Sequence, residues 1–156
     1  MLIRHPKPSQ TLGERGEIAA ERFLRRKGYT ILAGGQRSRY GEIDLIAVDH
    51  HRAAWRPSLR SLAPWRTTAG PRTLVFVEVK SRRSDRFGHP ASAVDANKQR
   101  RLADGALAYL KANGLMEYAA RFDVVAITWP RASRRPTSVE HFVDAFEPPG
   151  SWRFYG

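Results

Sequence analysis

Three residues in two apolar runs carry the chemistry this chain could perform. Asp44 lies in Gly41-Glu-Ile-Asp-Leu-Ile-Ala47, and Glu78 and Lys80 lie in Val75-Phe-Val-Glu-Val-Lys80. Side chains two apart on a strand share a face, so Glu78 and Lys80 point the same way. A charge inside an apolar sheet is costly unless it is paired or bound to a metal. If the two runs are neighbouring strands, two carboxylates and an ammonium meet at one spot. Hard oxygen ligands suit Mg²⁺ (or Mn²⁺), which takes one or two carboxylates and keeps several waters. The Val79 carbonyl could add a further ligand. Such an ion would lower the pKa of a water and neutralise charge on an attacked phosphate. Lys80 would hold that water or stabilise a pentavalent transition state. The set therefore suits phosphodiester hydrolysis. The plain alternative is a Glu78–Lys80 ion pair on an exposed strand face, which leaves Asp44, in a separate apolar run, to be explained.

Further residues extend the set. Gln99 precedes Leu102, Ala103, Ala106 and Leu110 by three, four, seven and eleven residues, which is one face of a helix. It points inward where an apolar residue is expected, and a buried amide must find a partner. A carboxylate, a water or a phosphate would serve, and so would a loop carbonyl. Lys98 beside it could reach a phosphate. Glu17 lies at the rim of the apolar face of an earlier helix; it could join the same site or pair with nearby arginines. Asp123, in Phe122-Asp-Val-Val-Ala-Ile-Thr128, reads as the partner of an arginine at a strand end.

The elements that must position these residues follow from caps and periodicity. Thr11-Leu-Gly-Glu14 has capping-box spacing and predicts a helix from about 13 to 27, ended by Gly28. Residues 29–33 read as a strand, 34–41 as a basic turn, 42–48 as a second strand and 74–79 as a third. Residues 81–90 read as a basic loop. Ser92-Ala-Val-Asp95 has capping-box spacing too, and predicts a helix to about 113 with Gly114 past its end. Residues 122–128 and 139–143 are the last strands. The order α-β-β-β-α-β-β predicts an α/β domain around a mixed central sheet flanked by helices, over residues 11–146, with tails at 1–10 and 147–156. Residues 49–73 form a basic inserted stretch holding Trp55, Trp65 and five arginines. Structureless loops beyond ~12–15 residues are uncommon in compact domains and are usually functional or disordered.

Composition narrows the partner. The chain of 156 residues carries a net charge of +12, with 22 arginines to five lysines. Arginine grips phosphate with paired hydrogen bonds, so the balance favours a nucleic acid over an anionic membrane surface. The absence of cysteine excludes disulfides and thiolate metal sites. The five histidines lack zinc-ligand spacing, and no phosphate-cradling glycine loop with its Lys and Ser/Thr is present. Residues 1–15 lack a signal-peptide core, and no run reaches the ~20 apolar residues that span a bilayer. The default reading is cytoplasmic.

As a set, Gly13-x-x-Gly16-Glu17 with Ala20 and Phe23-Leu24, the Asp44 run, Phe76-Val-Glu78-Val-Lys80-Ser-Arg82, Lys98-Gln99-Arg100 and Phe122-Asp123-Val resemble the YraN-like family of bacterial proteins. They are also similar to archaeal Holliday-junction resolvases. The resemblance covers roughly 11–146 and implies a restriction-endonuclease-like (PD-(D/E)XK) core. It implies metal binding by Asp44 and Glu78, a catalytic role for Lys80, and site positions for Glu17 and Gln99. The implied activity is Mg²⁺-dependent cleavage of DNA, branched or otherwise structured. The alternative is a nucleic-acid-binding module that does not cut. Arg37, Arg39, Arg82, Arg83, Lys98, Arg100 and Arg101 are the candidate nucleic-acid contacts, and a homodimer would supply two sites for two strands. Two features depart from the pattern: Ile43 stands before Asp44 where the superfamily often has proline, and the 49–73 stretch is long.

Overall fold

The computed structural model describes residues 10–50, 72–83, 94–131 and 133–148. Most of the 49–73 stretch with both its tryptophans, residues 84–90 of the basic loop, Ser92 and nearly all of both tails lie outside these. The elements are α1 (Leu12–Arg26), β1 (Thr30–Ser38), β2 (Gly41–Asp49), β3 (Thr73–Arg82), α2 (Ala96–Ala112), β4 (Ala119–Thr128) and β5 (Ser138–Phe142). The strands form one five-stranded sheet in the order β1-β2-β3-β4-β5. β3 and β4 are parallel and joined through α2, while every other neighbouring pair is antiparallel. The mixed sheet and the element order are those expected.

Helix ends follow the residues that permit them. Thr11 caps α1 with the full reciprocal box: its hydroxyl accepts from the Glu14 N–H, and Glu14 Oε2 accepts from the Thr11 N–H at 2.8 Å. At the other end Gly28 takes φ 87°, donating to the Arg25 carbonyl while Tyr29 donates to that of Leu24. This is the Schellman pattern that only a glycine adopts freely. Gly114 ends α2 in the same way, at φ 65°. The start of α2 differs from the capping box read at Ser92. Asp95 itself is the cap, its carboxylate accepting from the Lys98 N–H at 2.8 Å.

β1 runs to Ser38, through residues expected to be a turn. The register carries Gln36 opposite Ile43 and Ser38 opposite Gly41, leaving only Arg39 and Tyr40 at the hairpin tip. This is an edge strand, largely exposed. Its backbone pairs with β2 while its polar side chains face water, so no apolar period marks it. β3 continues through Ser81 and Arg82, which pair with Ile127 and Thr128 of β4.

The core is two layers divided by the sheet. On one face Leu102, Ala103, Ala106 and Leu110 of α2 cover Ile46, Phe76, Phe122 and Val124. On the other, Ala20 and Leu24 of α1 cover Leu45, Val75, Val77, Val125 and Ile127. β3 is therefore buried on both faces over Thr73–Glu78, as a central strand must be. Among the described residues no helix is long and apolar enough to cross a membrane.

Candidate functional site

The site forms where β2 and β3 part. Their ladder runs from Asp49↔Thr73 to Leu45↔Val77 and stops. The next rung would set Asp44 opposite Glu78. Instead, the Asp44 carboxylate replaces a backbone acceptor: the Val79 N–H donates to Asp44 Oδ2 at 2.7 Å. Strict alternation also breaks here. Ile43 packs against Gly105 of α2, whereas Leu45, two residues on, lies in the α1 layer. The β2–β3 pairing thus ends where the two strands carry Asp44 and Glu78.

Glu78 is buried on the α2 side, in line with Phe76. Lys80 Nζ donates to Glu78 Oε1 at 2.9 Å. Lys98, from the first turn of α2, places Nζ 3.3 Å from Glu78 Oε2. That contact lacks hydrogen-bond alignment, so Oε2 is a buried oxygen with no hydrogen-bond partner among the described residues. A buried carboxylate oxygen held by an ion pair without a hydrogen bond gains from an aligned donor or a closer cation.

Asp44 carries the electrostatic strain. Burial first, and then the negative charge of Glu78, push its pKa up to about 7; the Val79 N–H and the Lys98 charge oppose this, and the Glu17 charge adds to it. Glu17 on α1, Glu78 on β3 and Lys98 on α2 thus act on Asp44 of β2 from three other elements. Among the described residues no group of three His, Cys, Asp or Glu side chains forms a metal cage. The donor set that remains, two carboxylates with Glu78 Oε2 held by the Lys98 ion pair alone, is the kind Mg²⁺ accepts when waters complete its shell. On that criterion these residues fit the ion.

The other expected positions divide. Gln99 donates its amide to the Val94 carbonyl at 2.9 Å, the loop-carbonyl bond that its inward position allowed. Val79 lies between Glu78 and Lys80. Arg37 pairs with Glu42 at 3.2 Å, and Arg39 sits over the Tyr40 ring at the hairpin tip. Arg83 reaches the Arg131 carbonyl at 3.4 Å, and Arg82 ends β3 beside it. Arg100 and Arg101 are exposed on α2.

Helix α1 brings Glu17 to the opening through close contact at Gly16. A Cβ there would overlap Ser81 Oγ and lie 3.1 Å from Ser81 Cβ. Gly16→Ala should therefore lift α1 from β3, with a stability loss of about 1–3 kcal/mol, the usual cost of overpacking. Urea unfolding checks this: the midpoint should fall with the slope unchanged.

A second charged cluster was only partly foreseen. Arg121 binds Asp123 through Nε at 2.9 Å and Asp49 through Nη1 at 2.9 Å, and its Nη2 donates to Tyr29 Oη at 3.1 Å. His141 Nε2 donates to Asp123 Oδ2 at 2.8 Å, and the Asp144 N–H to Oδ1 at 2.9 Å. The arginine that the sequence leads one to expect beside Asp123 is Arg121. Asp49 and His141 were not connected to it, although Arg121 and Asp123, two apart on a strand, had to share a face.

Helices on both faces of a mixed sheet, with an acid–lysine cluster where two strands diverge, define a mixed α/β protein with a polar opening in its sheet. The chain belongs to the uncharacterised protein family UPF0102, whose model matches residues 16–127 and so contains the whole cluster. This is the YraN-like family that the motif set resembles. A UPF0102 protein of Rhodopirellula baltica is 46% identical over 145 residues, covering 93% of this chain and 75% of that protein. One of Syntrophus aciditrophicus is 41% identical over 147 residues, covering 94% and 96%. One of Desulfosudis oleivorans is 39% identical over 138 residues, covering 88% and 91%.

Proposed function

We propose that this protein is a divalent-metal-dependent endonuclease with a restriction-endonuclease-like core, hydrolysing phosphodiester bonds in branched or otherwise structured DNA. The observation that carries the reading is the pairing of a protonation-strained Asp44 with a buried Glu78 whose Oε2 has no hydrogen-bond partner among the described residues. Asp44 and Glu78, with the Val79 carbonyl, would hold Mg²⁺ or Mn²⁺. Bound there, the ion would supply charge neutralisation at the phosphate and a more acidic water. Lys80, fixed by Glu78, presents an ammonium beside that position, where it stabilises charge developing on the phosphoryl oxygens. Lys98, ion-paired with Glu78 at 3.3 Å, would offer its ammonium to a phosphate oxygen at that site. Glu17 orients water at the rim.

One observation favours the second reading, a binding module that does not cut. Lys80 and Lys98 already flank Glu78, so the cluster is close to charge balance without an added ion. Cleavage separates the two. Purified protein is incubated with branched, flap and single-stranded DNA in Mg²⁺ or Mn²⁺, beside Asp44→Asn and Lys80→Met. The endonuclease reading expects each variant to lose at least 10²-fold in rate, the scale of removing one group that stabilises transition-state charge. Equal rates in all three proteins would contradict it.

A further inference from the structure

A groove of about 420 Å³ opens between α1 and the β4–β5 connection, away from the Asp44–Glu78 cluster. Arg15, Arg22 and Arg26 line one wall and Arg134 and Arg135 the other, and no described residue lining it is acidic. Five guanidinium groups around one cavity make a positive field that an anionic occupant would meet favourably.

The groove is built rather than incidental. Trp129 is buried at its floor, and the Arg15 guanidinium lies over the indole ring at 4.4 Å from its centre. Arg15 Nη2 also donates to the Ser133 carbonyl at 3.3 Å, and Trp129 Nε1 donates to Ser81 Oγ at 3.4 Å. Arg15 is therefore held in place before anything binds, which lowers the entropy cost of gripping an anion. Ser81 and Trp129 place the groove on the α1 face of the sheet, the face opposite the one toward which Glu78 and Lys80 alternate.

We infer that this groove is a docking track for the phosphate backbone of a nucleic-acid strand. The choice of polyanion rests on the reading proposed above. Shape and chemistry support it. A guanidinium matches phosphate with paired donors. Arg15 to Arg26 spans eleven residues, roughly 16 Å of helix, which is the axial rise of about five phosphates of one strand. A lipid surface fits poorly, because the exposed large apolar residues, Leu32, Met116 and Tyr118, are not among those lining the groove.

The test is binding of a fluorescein-labelled 20-mer, single-stranded and as a duplex, in EDTA, followed by anisotropy against salt. Five duplex contacts give a log–log slope of about −4.5, or an affinity loss of about 500-fold between 50 and 200 mM salt. Arg134→Ala/Arg135→Ala, two exposed loop residues, should cut this to about 40-fold and weaken binding at least tenfold at 50 mM salt. The pair Arg72→Ala/Lys111→Ala removes the same charge at the far end of the sheet and should weaken binding less than threefold. Equal losses from the two pairs would overturn the inference, because net charge alone would then explain binding. Displacement of the strand by poly-glutamate as readily as by unlabelled DNA, at matched charge, would overturn it in favour of an acidic polypeptide. Since no metal is present, a failure here with Mn²⁺ binding intact refutes the track alone, and strand binding without Mn²⁺ binding refutes the endonuclease alone.

Discussion

Asp44→Asn should make the metal-free protein more stable, not less. The carboxylate has a pKa of about 7 in the folded chain against 3.8 as its ordinary value. The folded state therefore binds this proton more tightly than the unfolded state. Its contribution to stability is fully present below about pH 4 and is lost as the pH rises through 7. Three pKa units correspond to about 4 kcal/mol at most, and partial exposure of the group reduces this to roughly 2–4 kcal/mol. Asparagine keeps an oxygen for the Val79 N–H and carries no charge to desolvate. At pH 8.5 the variant should melt roughly 5–10 °C above the wild type, and at pH 4.5 the two should nearly coincide. Divalent metal should raise the melting temperature of the wild type and leave the variant unmoved. Thermal melts across this pH range, with and without 10 mM Mg²⁺, measure both effects. A variant less stable than wild type at pH 8.5 would mean that the acid is structural. A group kept at a stability cost is what a functional site contains.

Arg121→Leu should have the opposite sign and the largest magnitude. The Arg121 side chain is 9% exposed and its partners Asp49 and Asp123 are 3% and 0% exposed. Burial alone pushes the Asp123 carboxyl up, but the hydrogen bonds from His141 and Arg121, the Arg121 charge and the Asp144 N–H outweigh it and hold the carboxyl below its ordinary value. A depressed pKa contributes stability that is present above about pH 4 and disappears as the pH falls through the lower folded value. Removing the guanidinium leaves two buried carboxylates short of a partner, which costs about 3–5 kcal/mol. That is a large share of the 5–15 kcal/mol typical of a folded domain. Urea unfolding at pH 7 should show the loss in full, and at pH 5 the gap should narrow as the stranded carboxylates take up protons. A loss below 1 kcal/mol at pH 7 would show that His141 and the backbone suffice for Asp123. Asp44 and Asp49 are five residues apart on β2, roughly 16 Å, so the two clusters should respond independently.

What the sequence disclosed depends on the signal each residue leaves. Glu78 and Lys80 were legible because a period of two and a continuous apolar run left one arrangement for them. α1 was legible because Thr11, Glu14 and Gly28 are strong local signals. The length of β1 was not, since an edge strand made of Gly34, Gly35, Gln36 and Arg37 carries no apolar period. Ser92 and Asp95 both have the spacing of a cap; which of the two caps is decided by where the chain enters α2, and that is Asp95. The divergence of β2 and β3 was hidden because the bend at Asp44 comes from the side chain replacing a ladder acceptor, an event that depends on the neighbouring strand. The arginine groove was half visible. Arg15, Arg22 and Arg26 recur on one helical face, but Arg134 and Arg135 come from a connection whose approach to α1 no local pattern encodes.

The direct test of the central claim is calorimetric titration of Mn²⁺ into the full chain at pH 8, repeated with Asp44→Asn and with Glu78→Gln. One saturable site per chain, absent from both variants, is the expected result. Heat that does not saturate in the wild type, or a site of the same affinity in all three proteins, would contradict the account, for then Asp44 and Glu78 hold no cation and the opening between β2 and β3 has another use.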